Sequence, residues 1–346
     1  MVGLFKADRR FRPRRHAIAI LPEQAVCHCS DEKITMPIVT SLRPEWLSAV
    51  RPRAWALGLL ATGMLYAAAT FHLDERVFYS LKSAWHENTW VSRSLWLPEY
   101  QVRVDALPVA SVANNLSGLT FDEHRNHLWA VVNNPEQLVA LDRDGNFIAG
   151  YPLAGFKDVE GITYLGDNLL AVTEERSQSV VIVPVPDRPG ALQRGDYASI
   201  TLGIGAGENA GFEGVGYDRA GDRLFVVKEH SPRKLYEIKG IKATYNGQMN
   251  LEIIDREAWI EDKDMASDLA SVHFDERTGH LVLLSDEAKM ILELDGEGEL
   301  VSFRSLWSGF AGLKDSVPQG EGMTFDAQGD LYLVSEPNLF YAFERK

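Results

Sequence analysis

From about residue 100 onward, apolar and polar positions alternate in short runs, and the same run keeps returning. "LSGLTFDEHRNHLWAVVNN" from Leu116 is echoed by "VEGITYLGDNLLAVTEER" from Val159 and "FEGVGYDRAGDRLFVVKEH" from Phe212. It returns again as "LASVHFDERTGHLVLLSDE" from Leu269 and "GEGMTFDAQGDLYLVSEPN" from Gly320. Each copy is an apolar alternating run, an Asp or Gly turn and a second apolar run, which is the pattern of a β-hairpin. A third strand follows every time: "QLVALD", "SVVIVPV", "KLYEIKG", "MILELD" and "LFYAFER". Four of the five copies carry a fourth: "NFIAGYPL", "YASITLGI", "NLEIIDRE" and "LVSFRSL".

Taken at equivalent positions, the repeats begin at Ser117, Glu160, Glu213, Ala270 and Glu321, with spacings of 43, 53, 57 and 51 residues. Four-stranded units of this length are the blades of a β-propeller. The fold class expected is therefore all-β, a propeller of five four-stranded blades over 100–346. Six is the alternative if 186–210 or 241–267 hides a degenerate blade. The last repeat ends with three strands, and "YQVRVDALPV", Tyr100 to Val109, is the candidate to supply its fourth and close the ring.

The residues before 100 follow a different pattern. Ala54–Phe71, "AWALGLLATGMLYAAATF", carries no charge, and its length approximates a bilayer-spanning helix. Arg43, Arg51 and Arg53 precede it and Asp74 and Glu75 follow. The expected organisation is a cytoplasmic tail over 1–53, a transmembrane signal anchor over 54–73 and a juxtamembrane stalk over 74–99, helical around "ERVFYSLKSAWHE". The positive-inside rule puts the remainder outside the cytoplasm; a cleaved signal peptide ending near "AAA" at 67–69 is the alternative. Residues 1–35 show no period and read as an over-extended start, with Met36 the natural one, or else as a disordered tail.

Charge divides along the same line. The formal charge is −14, yet residues 1–53 hold 10 Lys/Arg against 5 Asp/Glu, which leaves 25 against 44 for the rest. So acidic a body excludes nucleic acid as a partner, because phosphates need basic surface, and suits cations. Both cysteines, Cys27 and Cys29, lie in the tail, so the body has no disulfide, thiolate metal site or thiol nucleophile. No HExxH, Walker A or GxSxG motif occurs, and no histidines sit at metal-ligand spacing.

The acids themselves recur. Glu160, Glu213 and Glu321 head three inner strands, and Asp268 stands two residues before the equivalent place in a fourth. A second row falls at the end of the second strand: Asn134, Glu174, Glu229, Asp286 and Glu336. In a propeller both rows open on one face, so these carboxylates are candidate ligands for a divalent cation. An all-oxygen set favours a hard ion, Ca²⁺ above all. The glycine after each acid would let the backbone turn closely into the channel strand. Bracing of neighbouring blades is the competing role. Arg176, His230, Arg233 and Lys289 flank the same mouth and are candidates to hold a small anionic ligand.

The chain resembles the SdiA-regulated family of bacterial β-propellers (the YjiK- and CarP-like proteins). "NNLSGLTFD", "KDVEGITYLGDN", "TEERSQSVVIV", "AGFEGVGYD", "KEHSPRKLYEIKG" and "PQGEGMTFDAQGDLYLVSEPNLFYAF" carry the resemblance over about 100–346. It implies a propeller held at the bacterial inner membrane and working in the periplasm, one branch of the family being calcium-regulated. It brings no catalytic residues. The expected function is a calcium-linked binding or signalling protein. A calcium-dependent phosphoesterase or lactonase-like hydrolase, by fold-level analogy with phytase and lactonase propellers, and an envelope protein-interaction platform are the alternatives.

Overall fold

A computed structural model describes residues 52–70, 73–203, 211–229, 232–261 and 268–346. The tail over 1–51, with its alternative starts, and His230 lie outside the described residues. The chain divides between Leu59 and Leu60 into two compact units, and the propeller belongs wholly to the second.

Strand β1 (Tyr100–Pro108) opens the domain. Blade 1 is β2 (Leu116–Asp122), β3 (His127–Val132), β4 (Gln137–Leu141) and β5 (Phe147–Ala154). Blade 2 is β6 (Val159–Gly166), β7 (Leu169–Glu174), β8 (Ser179–Pro184) and, after the short β9 (Leu192–Gln193), β10 (Ser199–Thr201). Blade 3 is β11 (Val215–Asp218), β12 (Arg223–Lys228), β13 (Lys234–Lys239) and β14 (Glu252–Asp255). Blade 4 is β15 (Ser271–Asp275), β16 (His280–Ser285), β17 (Met290–Leu294) and β18 (Leu300–Ser305). Blade 5 is β19 (Gln319–Phe325), β20 (Leu331–Glu336) and β21 (Leu339–Arg345), with β1 as its outer strand.

The ring is thus five-bladed. The two stretches that could have hidden a sixth blade hold, among the described residues, β9, β10, β14 and three short helices, Arg194–Asp196, Ile241–Tyr245 and Ala258–Glu261. Strand β9 is parallel to β5 and extends blade 1 instead of starting a new sheet.

Closure follows the expected route. β1 runs antiparallel to β21 from Tyr100 opposite Arg345 to Pro108 opposite Leu339. Glu99 pairs with Arg345 at 2.7 Å, and the Tyr100 hydroxyl donates to the Gly329 carbonyl at 2.7 Å. The segment ahead of β1 is pinned to blade 4 by buried Glu293. Its carboxylate accepts the Leu95 and Trp96 amides at 2.8 and 3.1 Å and the Ser302 hydroxyl at 2.6 Å.

Hydrophobic side chains gather in five clusters among the described residues, each between neighbouring blades. Phe225 of blade 3 stacks on Phe274 of blade 4 at 5.5 Å, for example. Stability therefore lies in the seams between sheets, where burying each such side chain contributes about 1.5–3 kcal/mol.

The inner strands approach one another so closely that side chains are excluded. A Cβ on Gly118 would stand 2.5 Å from the Glu160 carbonyl oxygen of blade 2, and one on Gly322 2.6 Å from that of Ser117 in blade 1. At Gly214 it would lie 2.5 Å from the Ser271 Cα of blade 4, and at Gly161 closer still to the Glu213 carbonyl. Blade 4 puts Ser271 in this row, and its hydroxyl accepts the Met323 amide at 3.3 Å.

Helix α1 (Pro52–Thr70) covers most of the expected membrane span. Among the described residues no helix is long and apolar enough to cross a membrane, so the span expected at 54–73 is not found. Arg53 in the first turn, with Gly58, Thr62 and Gly63 interleaved, dilutes its hydropathy. Helix α2 (Leu73–Trp90) falls where a helical segment was expected. It reaches blade 4 at its C-terminal end, where the Trp90 ring meets the His280 ring edge-on at 5.5 Å.

Replacing Gly161 or Gly322 with Ala should destabilise the propeller by about 1–3 kcal/mol, as overpacking against backbone does. Gly195, whose Cβ would meet nothing within 4 Å, should tolerate Ala within about 0.5 kcal/mol. Urea denaturation of the three variants checks this; equal stability would remove the close-approach explanation.

Candidate metal centre at the propeller mouth

The pairing register fixes which residues occupy equivalent places. Leu128, Leu170, Leu224, Leu281 and Leu331 lie opposite Phe121, Tyr164, Tyr217, Phe274 and Phe325 of their inner strands. Counting on from those leucines, the second row is Asn133, Glu175, Glu229, Asp286 and Glu336. The expected row is off by one in two blades. Blade 1 presents Asn133 in place of Asn134, and blade 2 presents Glu175 in place of Glu174. A register shift between Tyr164 and Gly166 in the β6–β7 hairpin moves the count in blade 2.

The consequence for Glu174 is direct. Its carboxylate turns toward the blade's outer side, accepting Arg194 Nε at 2.9 Å and the Lys157 amide at 3.1 Å. Glu175 is brought instead beside Asp158 and Glu160. Ligand oxygens of Asp158, Glu160 and Glu175 all lie within 4.8 Å of one another, close enough to hold a metal ion. Asp158 was not among the expected ligands. It precedes Glu160 by two residues, as Asp268 precedes Ala270, and its φ of 56° puts it in the left-handed region that Asp tolerates.

Glu160 is gripped from blade 1. Ser117 Oγ donates to Glu160 Oε2 at 2.8 Å, and Asn133 Nδ2 donates to Oε1. Burial pushes the Glu160 carboxyl up to about 8; the Ser117 hydrogen bond opposes this, and the charges of Glu175, Asp158 and Glu336 add to it. Glu321 is likewise pushed to about 8, by burial first, with Gln319 opposing through a 2.7 Å hydrogen bond and Glu160, Glu336 and Asp286 repelling. Glu213 stands well above the usual carboxylate range, through burial and then repulsion from Glu160, Glu175, Glu229 and Glu321. Burial also raises Glu175 and Glu336. One electrostatic group thus extends around the mouth, with its tightest knot in blade 2.

Other candidates serve as braces. Asp268, raised by burial, accepts the Asp286 amide at 2.9 Å and that of Glu287 at 3.1 Å, together with the Ser285 hydroxyl. Asp286 accepts Gly320 N across the blade 4–5 seam at 2.7 Å and Lys289 Nζ at 2.6 Å. Lys289 also donates to the Pro318 carbonyl, so it ties the same seam. Arg176 lies 2.7 Å from Asp158 with a mostly exposed side chain, and Arg233 is half-buried just before β13.

Residues 92–344 match the SdiA-regulated family, and the chain belongs to it. Solved structures with similar architecture include a streptogramin B lyase, at 11% identity over 71% of this chain and 98% of that one, with a TM-score of 0.42. A luciferin-regenerating enzyme is similar at 12% identity over 70% and 95%, TM-score 0.45. A nidogen/laminin complex aligns at 12% identity over 64% and 73%, TM-score 0.41.

The crowded carboxyls set a pH dependence. Folded Glu160 and Glu321 keep protons up to about 8, whereas unfolded carboxyls lose theirs near 4.3. Between those values the folded state binds more protons. Its stability is therefore greatest toward the acidic end of that window and falls as pH rises through about 8. Melting in chelator should show Tm declining from about pH 5 to 9, with a shallower decline and a higher Tm at pH 8 in Glu213→Gln, by a few degrees for ~1 kcal/mol. A flat or rising curve would contradict mutual repulsion at the mouth.

Proposed function

We propose that this chain is a cation-binding propeller of the bacterial envelope that acts as a binding or signalling module, with Ca²⁺ as its ion. The observation that carries this reading is the convergence of Asp158, Glu160 and Glu175 within 4.8 Å of one another. Glu160, Glu213 and Glu321 stand around the same mouth with raised carboxyls. Repulsion of this kind is relieved by protons or by a cation. The donors are all oxygens at irregular positions, which suits a hard ion with flexible coordination. Asp158, Glu160 and Glu175 would hold it, Ser117 and Asn133 would orient Glu160, and Glu213 and Glu321 would add long-range charge.

Ca²⁺ binding only the folded state should raise Tm, by ~2.7 kcal/mol of added stability at a hundredfold excess over Kd. Glu160→Gln and Glu175→Gln should reduce that shift strongly. Glu174→Gln should leave it intact while lowering metal-free stability, because Glu174 serves Arg194 and Lys157. Thermal melts with and without Ca²⁺ read all three. No shift at millimolar Ca²⁺ would refute the cation site, and loss of the shift in Glu174→Gln alone would place the site elsewhere.

The envelope location rests on the family and on the N-terminal pattern. Helix α1 exposes Trp55, Leu57, Leu59, Leu60, Met64 and Leu65, and Arg43, Arg51 and Arg53 lie at or before its start. In this reading the exposed apolar side chains of the helix rest on the periplasmic surface of the inner membrane without crossing it, and the propeller lies in the periplasm. A reporter active only outside the cytoplasm, fused after Lys346, should be active; activity of a cytoplasm-only reporter there would overturn the placement.

A further inference from the structure

Helix α2 is amphipathic the wrong way round. A helix packed on a domain normally turns its apolar face inward and its polar face to water. Here Ser80, Ser83 and Glu87 line the space between α2 and Phe303–Ser305 of blade 4. Val77, Leu81 and Trp85, in contrast, are 57%, 66% and 85% exposed. At roughly 100° per residue they fall roughly 120–200° around the helix from buried Ser83. Their four-residue spacing puts them on successive turns of one face, in a row about 12 Å long. Single exposed apolar residues are ordinary, whereas a contiguous row of them marks a contact surface.

The chain itself brings an apolar surface close to this row. Helix α1 ends at Thr70 and α2 begins at Leu73. Two intervening residues keep Leu73 within about 11 Å of Thr70, and Val77 lies little more than one turn further on. A membrane surface that carries α1 is therefore within reach of α2. The row also ends on a Trp, whose amphipathic ring suits the headgroup level. A second copy of the chain fits less well. A stable dimer covers roughly 800 Å² per partner, and three side chains fall short of it even at about 250 Å² each, the burial of the largest aromatics. Charge along α2 is nearly balanced, with Asp74, Glu75 and Glu87 against Arg76 and Lys82. The contact is accordingly apolar and does not depend on anionic lipid.

We propose that α2 continues the membrane contact of α1, a contact that rests on the placement of α1 given above. Val77, Leu81 and Trp85 enter the headgroup–acyl boundary of a phospholipid surface, and the helix lies along it. The C-terminal end of α2 is held to blade 4 by Trp90 against His280, and the segment after it by Glu293. Docking of α2 thus orients the propeller, with blade 4 toward the bilayer, instead of leaving it to swing on a tether.

Fluorescent labelling of the full chain tests this. With Cys27→Ser and Cys29→Ser in place, an environment-sensitive label is attached to Leu60→Cys in α1, Leu81→Cys in α2 or Met249→Cys on blade 3, each an exposed position. An interfacial helix buries its apolar face about 5–10 Å deep, so phosphatidylcholine vesicles should blue-shift the labels at 60 and 81 and brighten them about twofold or more. The label at 249 should not respond, and adding anionic lipid should change little. Leu81→Gln with Trp85→Gln, both at exposed positions, should weaken partitioning onto the vesicles about tenfold, ~1.4 kcal/mol. A response at 60 without one at 81 would overturn the docking of α2 and leave α1 on the membrane. Silence at both positions would overturn both placements. Brightening at 81 without vesicles, growing with protein concentration, would assign the row to a second copy and equally overturn the proposal, as would unchanged partitioning of the double variant.

Discussion

The contact on which the propeller depends is that of one inner strand's backbone against the next. At Gly118, Gly161, Gly214 and Gly322 the neighbouring blade stands where a Cβ would be. That approach narrows the ring at the level just below Glu160, Glu213 and Glu321. Acids heading strands packed this tightly are buried and stand near one another, so burial first and mutual repulsion second raise their pKa values. Acid and glycine recur together because one sets the spacing that gives the other its electrostatic character.

Bracing and the capacity to hold a cation then divide the carboxylates between them. In blade 4, Asp268 and Asp286 are saturated by amides, a hydroxyl and Lys289. Those donors fix the carboxylates for structure and leave little negative charge to offer. In blade 2 the balance is reversed. Asp158, Glu160 and Glu175 have few donors for three carboxyl groups, and the nearest cation, Arg176, is mostly exposed and weakened by solvent screening. An uneven ring puts the candidate site on one side of the mouth, and blade 1 supplies Ser117 and Asn133 to position Glu160.

Most of the fold was legible in the sequence because it is periodic. Five hairpins with following strands, and a leading strand for the unfilled edge, need only period-two patterning and a repeat length. The second acidic row was less legible. Its residues are set by the hairpin register, and a shift near Gly166 exchanges Glu175 for Glu174, two adjacent glutamates that composition cannot tell apart. Aligning on the leucine opposite each inner-strand aromatic, instead of on the strand end, recovers the right residue. The helical run at 54–71 was visible, but among the described residues no helix is long and apolar enough to cross a membrane. Nothing local marks Arg304, which meets Tyr100 only because the N-terminal segment folds back on blade 4.

That fold-back connects ring closure with a buried charge. Arg304 sits on β18 of blade 4, yet its donors go to Tyr100, the first residue of the closing strand, and to Ala311 in the link to blade 5. Tyr100 is at once the start of the β1–β21 pairing and a hydroxyl donor to blade 5. The guanidinium therefore carries its uncompensated charge at the one seam where the two ends of the domain meet with no chain continuity. Neutralising it would relieve the cost of burying that charge in the folded state, which the unfolded chain never bears.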